Sequence, residues 1–258
     1  MIDYLSAIAA ESSRFSDLVR NTSPEAPVPS CPGWSVADLG WHLLEVQYFW
    51  ASIVADLLES PDSIVPVERP GDGELADVLD EQTERLTRGL RGKDPNAVCW
   101  SWHAAGHRVG WVLRRQAHEA LIHRVDAELA HGKPLTVDDE LAEDGIDEAL
   151  RVMIDASDLP DWSRFDPDGS TARIEGGALS WAMRLGRFIG VSPNTGNSYD
   201  DPALQLSAPT EAPDTIIRGS GTDLDLWIWG RGSADPLEIE GDTAIVTLIR
   251  EAAALGTQ

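Results

Sequence analysis

Apolar side chains recur at intervals of three and four over long segments of residues 1–155, and this periodicity constrains the fold more than any other feature. Leu5, Ile8, Ala9, Phe15, Leu18 and Val19 form one helical stripe. Val36, Leu39, Leu43, Val46, Phe49, Trp50 and Ile53 form a second, with Ser35 placed to cap it and Pro61 to end it. A third helix is expected over 74–92 and a fourth over 106–132, with a turn region at 94–106. The connections SPEAPVPSCPGW and SPDSIVPVERPGDG are rich in Pro or Gly and cannot continue a helix. An amphipathic helix cannot bury its stripe alone, and four of them joined by polar connections are most economically arranged as a four-helix bundle.

A further helix in DDELAEDGIDEALRVMIDAS is expected to bridge two halves, and after it the pattern changes. STARIEGGALSWAMRLG, DPALQLSAP and DTIIRGS are short, β-branched or alternating, and broken by Gly or Pro. TDLDLWIWGRG reads as a short helix, LEIEGD as a strand end and TAIVTLIREAAALG as a C-terminal helix. The expected fold class is α followed by α+β, with a helical bundle over 1–155 and a small α+β domain over 156–258.

At 258 residues the chain can bury a sizeable core, and 42% hydrophobic with 25% charged residues is ordinary for a globular protein. The net charge of −24 argues against nucleic acid and against anionic membrane surfaces, both of which need clustered Lys and Arg. No apolar run is long enough to span a bilayer and the N-terminus lacks a basic signal segment, so a cytoplasmic protein is expected, as a monomer or homodimer. Cys31 and Cys99 alone make neither a disulfide framework nor a Cys-rich zinc site.

The stretch RRQAHEALIHRVDAE places Glu119 and His123 four apart, which on a helix is about 40° of rotation and hence one face. Arg115 and Asp126 extend that face by a turn on either side, whereas His118 lies off it. Such a pair also occurs as a solvated surface pair. His42, beside Leu39, Leu43 and Val46, adds an imidazole from the second helix, although a lone histidine there also reads as a core side chain. Together, His42, Glu119 and His123 are a His₂Glu set suited to zinc, with nickel or iron acceptable, and leave a coordination position open. His103 and His107 share the spacing but are interrupted by Gly106 in a turn region. Arg115 reads as a partner of the Glu119 carboxylate, a binder of a substrate acid or a plain helix salt bridge. Arg231, in the WIWGRG turn, is a candidate anion clamp or a solvent-facing turn residue.

The tracts VPSCPGWSVADLGWHLLEV and WSWHAAGHRVGWVLRRQAHEALIHRVDAE resemble the two signatures of the mycothiol-dependent maleylpyruvate isomerase family, part of the wider DinB-like bundles. GSGTDLDLWIWGRGSADPLEIEGDTAIVTLIREA is similar to the sterol-carrier-like domain that follows the bundle in many members, whereas GGALSWAMRLGRFIGVSPNTGNSYDD departs from the pattern. The resemblance implies that His42, Glu119 and His123 are metal ligands and that mycothiol is the thiol cosubstrate. It further implies a small electrophilic substrate undergoing cis–trans isomerisation or S-transfer. A thiol-independent metal hydrolase and a non-catalytic metal- or ligand-binding detoxification protein are the competing readings, since fold does not fix function.

Overall fold

The computed structural model describes residues 2–104, 106–133 and 135–257. Ala105, within the expected turn region at 94–106, lies outside them. The chain divides into two compact units, Met1–Thr136 and Val137–Gln258.

The first unit contains α1 (Tyr4–Asn21), α2 (Val36–Asp56), α3 (Leu75–Leu90) and α4 (Val109–His131). α2 packs on α3 and α4, and α1 on α3 and α4, so the four form the expected bundle. Its core is built on Ile8, Phe15, Leu39, Leu43, Leu44, Ile53, Leu79 and Leu86, none of them exposed. α2 stops at Asp56, five residues before the expected break at Pro61. Leu57 takes a left-handed conformation (φ 53°) and its N–H caps the Ile53 carbonyl.

Two polar networks cross this core. Gln47 donates to Ser12 Oγ at 2.7 Å and accepts from Thr83 Oγ1 at 2.6 Å, joining α1, α2 and α3. Arg124, wholly buried on α4, donates to Glu11 and to Glu128, each at 2.6 Å. A buried cation of this kind is tolerated only when carboxylates match it.

The second unit holds α5 (Asp139–Glu148), a π-helical segment (Ala149–Ile154), α6 (Gly221–Ile228) and α7 (Thr243–Thr257) beside a five-stranded sheet. The strands are β1 (Ser163–Gly176), β2 (Leu179–Val191), β3 (Ser198–Leu206), β4 (Thr215–Gly219) and β5 (Glu238–Gly241), ordered β3-β2-β1-β4-β5. Of the strand pairs among the described residues, β1–β4 is parallel and the others are antiparallel. The boundary falls at 136/137 and not at the expected 155/156, because α5 packs on α6 and the π-helical segment on α7 and β3. The residues that departed from the family pattern form β2 and the start of β3. β1 starts well before the expected strand, since Pro167, Asp168 and Gly169 sit at a register shift inside it and not at a turn between elements.

Candidate metal centre

The site begins with the cap of α2. Ser35 Oγ accepts from the Asp38 N–H at 3.2 Å, and the Asp38 carboxylate accepts from the Ser35 N–H at 3.1 Å. This reciprocal capping box fixes where the helix starts and therefore the direction in which His42 emerges, two turns in. Leu39 and Leu43 bury toward the core, while His42 stands at its rim with its side chain 33% exposed.

α4 supplies the other two groups. Glu119 Oε1 lies 3.3 Å from His42 Nε2 and 3.2 Å from His123 Nε2. The two imidazole rings stand edge-on, with centroids 4.8 Å apart. One donor atom from each of His42, Glu119 and His123 falls within 4.8 Å of the others. A tetrahedral zinc shell with arms of 2.0–2.1 Å has vertices roughly 3.3 Å apart, which the two carboxylate–imidazole spacings match, while the full set, spread over as much as 4.8 Å, would close in around a shared ion.

Each α4 group is held from behind. Arg115, which is buried, donates to Glu119 Oε2 at 2.7 Å. His123 Nδ1 donates to Asp126 Oδ2 at 3.0 Å. Burial alone would push the Glu119 carboxyl up, but the Arg115 charge and the hydrogen bonds from both histidines hold it well below the usual carboxylate range. Burial alone would push His123 down, yet its bonds to Asp126 and Glu119 and their charges raise it to about 9.

The structure thus brings His42, Glu119 and His123 together and sets Arg115 and Asp126 behind them. His118 turns away, as its spacing requires, and its ring meets Tyr4 edge-on at 6.3 Å. His103 stacks on Trp111, and His107 Nδ1 accepts from the Ser101 N–H at 3.4 Å; neither joins the His–Glu–His group. Arg231 lies in the turn after α6 in the second unit, where it donates to the Trp229 and Thr257 carbonyls.

Sequence reasoning missed the turn before α2. Ser30 Oγ donates to Asp126 Oδ1 at 2.5 Å and Cys31 Sγ to Asp126 Oδ2 at 3.6 Å, while the Trp34 ring lies 5.1 Å from the His42 ring. Ser30 and Cys31 lie 96 and 95 positions from Asp126, so no local signal could have found those two contacts.

Fold and site define a class: a four-helix bundle with an inward His–Glu–His group, followed by an α+β unit. The profile of the family described as the mycothiol maleylpyruvate isomerase N-terminal domain matches residues 5–128, which span the helical unit. Among solved structures, the chain is similar to the crystal structure of the mycothiol-dependent maleylpyruvate isomerase, with a TM-score of 0.56 and 15% identity over 92% of both chains. A histidine-to-alanine mutant of that protein gives a TM-score of 0.55 at the same identity and coverage. At this identity the likeness is one of fold. No curated protein matches the sequence significantly.

Proposed function

We propose that the protein is a thiol-dependent isomerase of the maleylpyruvate type, with His42, Glu119 and His123 holding one divalent ion, zinc foremost. The observation that carries the reading is the meeting of three ligand atoms from two helices, each α4 ligand backed by a buried partner of its own. Mycothiol is the thiol that the family description and the structural relatives suggest. When bound, a divalent ion favours thiolate over thiol and so makes a sulfur nucleophile available at neutral pH.

The chain's own groups divide the remaining work. Arg115 keeps Glu119 anionic and fixed, and its burial against that carboxylate makes it a positioning residue before a binder of substrate acid. Side-chain exposure falls from 33% at His42 to 16% at Glu119 and 11% at His123, so thiol and substrate approach past His42. Addition of the sulfur to one carbon of the cis double bond permits rotation, and elimination of the same sulfur returns the thiol with the trans product. S-transfer, in which the sulfur stays attached, would use the same residues.

The hydrolytic reading needs a general base close to the reacting water. Its two candidates are committed elsewhere: His118 faces Tyr4, and Asp126 is held by His123, Ser30 and Cys31. The test is turnover of maleylpyruvate by zinc-loaded protein with and without mycothiol. Isomerisation that needs both the ion and the thiol, and is lost in His42→Ala, supports the proposal. Equal turnover without thiol, or no turnover by a protein that binds zinc, would overturn it in favour of the hydrolase or of a non-catalytic metal-binding protein.

A further inference from the structure

The turn between α1 and α2 contributes no member of the His–Glu–His group, yet it touches His42 and the carboxylate behind His123. It is closed by its own backbone: the Val28 N–H bonds to Trp34 O at 3.0 Å, Cys31 to Val28 O at 3.1 Å and Trp34 to Cys31 O at 3.0 Å. Gly33 allows the closure with φ at 86°, a conformation that side chains other than glycine rarely adopt. From this frame Trp34 packs on His42, while Ser30 and Cys31 point at Asp126.

Asp126 is fully buried, and a buried carboxylate is tolerated only where donors meet it. Among its donors are the Ser30 hydroxyl at one oxygen, and the Cys31 thiol with the His123 Nδ1–H at the other. A neutral imidazole carries one N–H and one lone pair, and the partner of one nitrogen decides the role of the other.

We propose that Asp126, clamped by Ser30 and Cys31, is a positioning residue that keeps a proton on His123 Nδ1 and presents Nε2 as the ligand, so that the turn before α2 helps set the metal affinity of the site. The proposal rests on the metal-binding reading above. Carboxylate partners of this kind orient ligating imidazoles and raise their basicity, and losing one costs about 10–100-fold in metal affinity. Ser30 acts one step further out. By holding Oδ1 it fixes the carboxylate plane, and with it the angle at which Oδ2 meets the ring.

The test is zinc affinity measured by chelator competition on the full chain for wild type, Asp126→Asn, Ser30→Ala and Ser30→Thr. The absorption spectrum of each Co²⁺-loaded protein is recorded in parallel, with thermal unfolding of each metal-free protein measured separately. We expect one ion per wild-type chain, affinity about 10–100-fold weaker in Asp126→Asn with a shifted Co²⁺ spectrum, and a smaller loss in Ser30→Ala that Ser30→Thr restores. A merely structural Asp126 would lower the unfolding temperature and leave affinity and spectrum in place. Wild-type affinity in Asp126→Asn overturns the positioning role and leaves the metal site standing. No binding by wild type overturns both. Should Asp126→Asn fail to fold, the Ser30 pair decides, because equal affinities in Ser30→Ala and wild type sink the clamp.

Discussion

His123 is the residue on which the chemistry of the site turns. Without an ion its two nitrogens face Asp126 and Glu119, and the resulting hydrogen bonds and charges raise it from 6.5 to about 9. A histidine raised on folding stabilises fully below its unfolded value, and that contribution is lost as pH climbs through the folded one. The unfolding temperature of the metal-free protein should therefore fall between pH 6.5 and about 9, and fall less steeply in His123→Gln. An ion must displace the Nε2 proton, so zinc affinity should rise across the same window, measurable by competition titrations at several pH values. His42 stands at the rim, so His42→Ala should lose the ion in elemental analysis with little change in metal-free stability. Glu119 and His123 were legible as a pair because both lie on one helix; that His42 joins them follows from the packing of α2 on α4.

At the scale of the element, α4 departs most from what periodicity suggests. It buries Arg115, Gln116, His118, His123, Arg124, Asp126 and Glu128, so it is no simple amphipathic helix with one wet face. Those charges are held by matched partners, which a count of apolar positions cannot reveal. Arg124→Met should leave Glu11 and Glu128 with only the solvent-exposed Arg14 as counter-charge, at a cost toward the lower end of about 3–5 kcal/mol in urea unfolding. Ser35→Ala removes the α2 cap and should cost about 1 kcal/mol, read in the same experiment. The caps and helix cores were legible locally, since Ser35 acts on residues three positions away. The end of α2 was not, because Leu57 terminates it by adopting a conformation that no leucine prefers.

At the scale of the whole molecule, binding and stability are linked. An ion that binds the folded state alone stabilises by about 2.7 kcal/mol at a free concentration 100 times its Kd. One equivalent of zinc should thus raise the unfolding temperature, a chelator should reverse it, and His42→Ala should show neither effect; a scan with and without zinc checks all three. The chain's charge of −24 favours cation uptake in general, so the variant is what separates this site from diffuse binding. None of the helices among the described residues is long and apolar enough to cross a membrane.

The sequence by itself determined the two architectures, because helical periods of three and four and strand periods of two are properties of neighbouring residues. It also offered His42, Glu119 and His123 as candidate ligands, once the residue types on two helices were set beside the family signatures. Only the tertiary structure decided that Ser30 and Cys31 stand on Asp126, that β1 runs through Pro167, and that α5 groups with the second unit. These are contacts between segments distant in the chain, or irregularities that packing and pairing impose on local preference. A side chain's neighbours along the chain do not encode them; they exist only once the helices and strands have met.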